Sequence, residues 1–197
     1  MIPALVLVFL TVIFRIATAI IVQGGGASWL SNFAPLAAIA LCGAIYFPRK
    51  YKFTVPFAAL LISDVVLDLY YGASLFEPLI LCRYVAFALV GLLGLAVSKQ
   101  VSLKTIVPAS LAGSVLFYGI TNAFSWLTDP GYVKSFLGFV QALTLGLPQY
   151  SATPTWMFFR NSVVSDLLFT LLFVACMSYS RRTAAQATAA ATRLLPN

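Results

Sequence analysis

Long apolar runs separated by short polar breaks organise the chain. Six runs approach the ~20 residues that a helix needs to cross a bilayer: 3–22, 32–47, 53–71, 78–97, 105–125 and 155–177. None alternates apolar and polar positions as an outer-membrane strand does. The breaks are Gly24-Gly25-Gly26, Pro48-Arg49-Lys50, Tyr71-Gly72, Ser98-Lys99 and Asp129-Pro130-Gly131, built from residues that stop helices or start turns. The pattern predicts an all-α integral membrane protein with six transmembrane helices, the second of them short. The stretch 133–147 is apolar too, but about fifteen residues is short for a span, and Pro148 and Pro154 follow. It predicts an extra interfacial or re-entrant helix on the outer face. Residues 1–180 then form one bundle domain, and 181–197 a basic, alanine-rich tail, frayed or disordered.

Composition agrees with a lipid environment. Hydrophobic residues make up 61% of the 197 and charged residues 9%, against about 25% charged in a soluble domain. The net charge of +7 reads as a topology signal and not as a nucleic-acid surface. Arg49, Lys50 and Lys52 follow span 2, Lys99 and Lys104 follow span 4, and Arg181, Arg182 and Arg193 follow span 6. The alternate loops are nearly free of basic residues, so the positive-inside rule puts both termini in the cytoplasm. Span 1 lacks the basic start of a secretory signal and carries Arg15, so it is expected to be retained.

The chemistry that is missing narrows the function. The chain has no histidine, which removes HExxH zinc sites and Ser-His dyads. Cys42, Cys82 and Cys176 lie singly in apolar runs, as packing residues do. No Walker sequence, nucleophile–base pair or soft metal-ligand cluster is present. Neither cofactor nor metal is expected, and the chain is not expected to be an enzyme.

Charge inside a bilayer is costly and marks either function or an internal pair. Arg15, Asp64, Asp68, Arg83, Arg160 and Asp166 fall inside the spans. At 1.5 Å per residue the predicted topology puts all six at the middle or in the outer half. Asp64 and Asp68 are spaced i,i+4 and share a helix face. Asn32, Asn122, Trp126 and Asn161 cluster toward the same side. Two readings stay open: a ligand pocket in the outer half, or a buried ion-pair network that holds the bundle together. Ala34/Ala38, Ala40/Ala44 and Ala109/Gly113 are small pairs at four-residue spacing. They suit close helix packing within the bundle or docking of a partner's helix.

Several phrases, in order, carry a resemblance. Asn32-Phe33-Ala34-Pro35-Leu36-Ala37-Ala38 runs on to Gly43-Ala44-Ile45-Tyr46-Phe47-Pro48-Arg49. Ser63-Asp64, Tyr71-Gly72, Thr121-Asn122 with Trp126, Phe159-Arg160-Asn161 and Asp166-Leu167-Leu168-Phe169 follow. Over about residues 10–175 they resemble a bacterial membrane family of unassigned function. That family is in turn similar to the substrate-binding S components of energy-coupling-factor (ECF) transporters. The resemblance implies a six-helix bundle in the bacterial inner membrane with a small-molecule site near the outer face. It also implies a membrane coupling protein and two cytoplasmic ATPases as partners. The matched site positions are Asn32, Asp64, Asp68, Arg83, Asn122, Trp126, Arg160, Asn161 and Asp166. Two departures stand out. The AxxxA docking pattern of the first S-component helix is absent, since Ile21 follows Ala17, and Ala40 with Ala44 is a partial substitute. Residues 149–157 look like an insertion in the outer lid.

The expected function is a substrate-binding subunit for uptake of a small polar or charged organic molecule. Arg160 and Arg83 would take an anionic group, the asparagines would orient the ligand, and Trp126 would stack on a ring. Asp64, Asp68 or Asp166 would hold a cation or fix the arginines. The competing expectation is a structural or accessory subunit, in the manner of the rod-shape membrane protein MreD. A proton-coupled carrier ranks lower, because no internal repeat is visible.

Overall fold

A computed structural model of the chain describes residues 2–74 and 77–193, apart from the side chains of Ser28 and of 188–193. Among the described residues it is all-helical. The helices are α1 (Ile2–Gln23), α2 (Leu36–Tyr46), α3 (Thr54–Tyr71), α4 (Pro78–Val97), α5 (Leu103–Thr128), α6 (Phe136–Thr144) and α7 (Thr155–Arg193), with a 3-10 turn at Ser28–Leu30. Five of them, α1, α3, α4, α5 and α7, are long and apolar enough to cross a membrane. The chain is a multi-pass membrane protein.

The boundaries have local causes. Gly72 ends α3 in the left-handed region, φ 65°, a conformation that glycine adopts without a Cβ penalty. Pro78 opens α4 at a position where the missing N–H costs nothing. The alanine-rich run after residue 180 does not break α7, which continues to Arg193, as the high helix propensity of alanine favours. Residues 194–197 of the expected tail lie outside the described residues. The nine residues of α6 are too few to cross.

The second predicted span is the main departure. Instead of a full span over 32–47, the structure has an eleven-residue helix, roughly 16 Å long against a hydrocarbon core of about 30 Å. Asn32 sits at φ 57° and Pro35 is the N-cap, so the helix starts late. Phe47 is extended at its end, as a residue before proline is pushed to be.

This short helix is the centre of the bundle. Residues Ala37 to Ile45 are all buried, and α2 touches each of the five long helices. Its N-terminus lies deep inside. Ala37 is beside Gly113, which packs on Val90, the thirteenth residue of α4. The apolar core then fills the half of the bundle below that level, with Ile39, Leu41, Phe87, Ile106 and Phe173 at its heart. Because connections are short, successive helices alternate in direction. One end carries Arg49, Lys50, Lys52 and Lys99 and is called the basic end here. The other carries the 24–35 segment, α6 and the 145–154 loop, and is called the lid end.

Ala40 and Ala44 are 2% and 0% exposed, so they pack helices inside the bundle and are out of reach as a partner's docking pattern. A Cβ on Gly94 would stand 2.6 Å from the Leu41 carbonyl oxygen and 3.0 Å from the Ala44 Cβ. Gly119, on α5, meets nothing within 4 Å. Opposite signs are therefore expected from the same substitution. Gly94→Ala should cost about 1–3 kcal/mol through forced separation of α2 and α4. Gly119→Ala should be neutral or stabilise by up to about 1 kcal/mol through helix propensity. Unfolding midpoints in detergent read both.

Candidate functional site: a polar cavity above a half-length helix

An eleven-residue helix among much longer ones leaves space beyond its N-terminus. There the structure has a cavity of about 630 Å³, lined at the lid end by residues 30–34, Tyr150 and Ser151 and floored by Leu36 and Ala37 at the start of α2. Each wall is one helix face at three- and four-residue spacing. Helix α1 supplies Arg15, Thr18, Ala19 and Val22, and α3 supplies Asp64, Leu67, Asp68 and Tyr71. Helix α5 supplies Ser114, Phe117, Tyr118, Thr121, Asn122 and Ser125, and α7 supplies Thr155, Phe158, Ser162 and Asp166. Arg83 of α4, Asn32 and Phe33 of the 24–35 segment that descends to the start of α2, and Tyr150 and Ser151 of the 145–154 loop also line it.

Two charged arrangements hold the cavity. In the first, Arg15 Nη2 and Arg83 Nη1 both reach Asp64 Oδ1, at 2.6 Å and 3.0 Å. Arg15 also donates to the Ser63 hydroxyl. The three charged residues lie eight residues before the end of α1, seven before the end of α3 and five after the start of α4. They are therefore roughly 8–12 Å from the same end, and they meet because the helices alternate in direction. Asp64 and Arg15 are almost sealed from solvent, while the Arg83 side chain keeps 26% exposure. Asp64 Oδ2 and Asp68 Oδ2 are buried without a hydrogen-bond partner.

In the second arrangement, Asp166 reaches the start of α2. Its Oδ1 accepts from the Ala38 N–H at 2.9 Å and its Oδ2 from the Ser114 hydroxyl at 2.7 Å. The Ala37 amide donates to the same carboxyl group. Pro35 offers no capping side chain, so a residue 128 positions away caps the helix. The same contact places a carboxylate at the positive end of the helix dipole.

Of the nine expected site residues, Asn32, Asp64, Asp68, Arg83, Asn122 and Asp166 line this cavity. Trp126, Arg160 and Asn161 do not, and each has other work. Trp126 donates to the Val133 carbonyl at 3.0 Å and packs on Phe139, 5.3 Å between ring centroids, which fixes α6. Asn161 donates to the Trp29 and Ser31 carbonyls at 2.7 and 2.8 Å and ties down the descending segment. Arg160 binds the Asn161 oxygen and lies over the Trp156 ring. The cause is helical phase: at 100° per residue Asp166 shares its face with Ser162, and Arg160 and Asn161 turn away. Of the three aspartates expected to hold a cation or fix the arginines, Asp64 pairs with Arg15 and Arg83, and Asp166 caps α2 instead.

Arg15, Tyr118, Thr121 and Tyr150 also line the cavity and were not among the expected site residues. The signal for the first three was available as the i,i+3,i+4 stripes on α1 and α5. Tyr150 had none, because a loop has no phase. The inserted-looking segment 149–157 does contribute to the lid end, through Tyr150, Ser151 and Thr155.

A family model described as "Family of unknown function (DUF6580)" matches residues 1–190. The chain belongs to this family. The match spans every helix that lines the cavity. Neither a curated protein nor a solved structure matches.

Removing the cap should be costly. Asp166→Leu strands the amides of Ala37 and Ala38, while the Ser114 hydroxyl keeps the Ser110 carbonyl as acceptor. The variant is expected to lose about 2–5 kcal/mol. Asp166→Asn keeps an acceptor for Ala38 and should lose less than half of that. Denaturant unfolding in detergent measures both. Two variants as stable as the parent would contradict the capping role.

Proposed function

We propose that this chain is a substrate-binding membrane subunit that captures a small polar or charged organic molecule for uptake. One observation carries the reading: a cavity of about 630 Å³ is lined by charged and amide side chains, Asp64, Asp68, Arg83 and Asn122 among them. A bundle that needed its charges only for internal pairing would close around them, because unsatisfied polar atoms in a membrane interior cost several kcal/mol. The volume also falls within the ~300–1,000 Å³ of small-molecule sites.

The resemblance of the sequence phrases to a membrane family that is itself similar to ECF S components supports the same reading. So does the topology we propose with it. The descending segment and α2 together make one crossing, which brings the number of crossings to six. The basic loops then put both termini in the cytoplasm, and the cavity opens to the outside of the bacterial inner membrane. Energy would come from partner ATPases through a coupling membrane protein. That protein would dock elsewhere than on Ala40 and Ala44, which are buried.

The competing reading is a structural or accessory subunit. What favours it is the sharing of Asp64 by two arginines, a pairing internal to the bundle. Purification of the tagged protein from its native membrane in mild detergent separates the two. Two ABC-type ATPases and a second membrane protein are expected to co-purify. A stable complex without any ATPase would sink the uptake reading in favour of the structural one.

A further inference from the structure

The acidic side chains of the chain are Asp64, Asp68, Glu77, Asp129 and Asp166, and none stands at the basic end. Asp64 and Asp68 lie in the lid-side half of α3, and Asp166 caps the start of α2. Glu77 and Asp129 flank the lid-side ends of α4 and α5. The cations of the basic end therefore find no carboxylate side chain there. Two of them lie over rings instead, Lys50 over Tyr51 at 5.7 Å and Arg181 over Tyr46 at 5.9 Å to the centroid. Arg49 and Lys52 flank a second cavity, of about 430 Å³, whose other lining residues are Phe53 and Leu95. Neither cation is in an ion pair among the described residues.

The local structure builds this cavity. The Tyr51 N–H donates to the Pro48 carbonyl at 2.7 Å and closes a tight turn between α2 and α3. Phe53 then lays its ring on α4, where a Cβ on Gly91 would stand 2.6 Å from it. Leu95 is one turn after Gly91 on the same face and two residues before α4 ends at Val97, roughly 3 Å along the axis. The cavity thus sits at the depth where α4 leaves the membrane. Leu92, one turn deeper than Leu95, is 53% exposed, so this side of α4 faces lipid.

Two demands meet here, for negative charge and for apolar cover. A free inorganic anion would answer the cations and leave Phe53 and Leu95 in water. A zwitterionic lipid would cover the apolar side but bring its own cation against Arg49 and Lys52. A phospholipid of net negative charge answers both, with its phosphodiester on the guanidinium and ammonium groups and its chains running on along Leu95 and Leu92. The aliphatic stems of Arg49 and Lys52 can follow the same apolar surface while their heads stay at its edge. Basic pockets between membrane helices take anionic head groups in this manner. We infer that this cavity is a specific site for an anionic phospholipid, independent of the uptake reading and of the larger cavity.

Native mass spectrometry of the purified full chain, titrated with phosphatidylglycerol and phosphatidylcholine of identical acyl chains, tests it. Phosphatidylglycerol is expected to bind more tightly. At roughly fivefold per basic residue, Arg49→Gln together with Lys52→Gln should weaken it about 25-fold. Lys99→Gln together with Lys104→Gln removes the same charge from the same end but spares the cavity lining, and should weaken it less than about fivefold. An equal loss in both double variants overturns the site and leaves only a diffuse surface attraction. Equal binding of the two lipids by the parent chain overturns it too, and needs no variant to fold. Displacement of phosphatidylglycerol by an equal concentration of inorganic phosphate would overturn the lipid assignment in favour of a free anion. Loss of a co-purifying protein, with lipid binding unchanged, in the Arg49→Gln and Lys52→Gln chain would make the cavity a protein contact instead.

Discussion

The structure depends on how a helix can begin deep inside an apolar bundle. The first N–H groups of any helix lack partners within it, and lipid supplies none. In α2 each one is met. Pro35 has no N–H to satisfy. Leu36 donates to the Ala34 carbonyl at 2.9 Å, and Ile39 to the Pro35 carbonyl at 3.1 Å. The amides between them, of Ala37 and Ala38, are taken by Asp166. One carboxylate on the longest helix thus permits a short one, and the short one makes room for a cavity. The apolar core below and the polar volume above are two consequences of the same start point.

The second constraint is charge. Two guanidinium groups and two carboxylates sit at one level of the bundle, and ion pairs in low dielectric stabilise only when their geometry satisfies the remaining polar atoms. Here it does not do so completely. Both arginines converge on a single oxygen of Asp64, and the other oxygen, like Asp68 Oδ2, is buried without a hydrogen-bond partner. The two readings that the charges left open, an ion-pair network and a ligand pocket, are therefore not exclusive. The arginines fix Asp64 in place, while Asp68, Arg83 and Asn122 line the cavity beside it.

The long helices were legible because length and hydropathy decide them: α4 matches its predicted span at both ends, and α1 and α3 differ by a residue. The short α2 was not, because an apolar run with Pro35 inside it reads the same whether the proline opens a helix or kinks one. Its cap was invisible as well, since residue 38 meets residue 166 only in the fold. Charges that share a helix face, such as Asp64 and Asp68, were placed correctly by periodicity. Arg160, Asn161 and Trp126 were grouped with them by depth and by the matched phrases, and neither says which way a side chain points. Phase along α7 and α5 would have separated Ser162 from Arg160 and brought in Thr121.

The central claim is that the volume above α2 is an aqueous cavity open to one side of the membrane. Accessibility of single cysteines to a membrane-impermeant maleimide tests it most directly, since a thiol reacts through its thiolate and that form needs water. In a chain with Cys42, Cys82 and Cys176 replaced, Thr121→Cys lies on the cavity wall and Val115→Cys on the exposed apolar face of the same helix. From the outside of intact cells, Thr121→Cys is expected to react and Val115→Cys to stay unlabelled. Failure of Thr121→Cys to react, or its reaction only from the cytoplasmic side of inverted vesicles, would contradict the account.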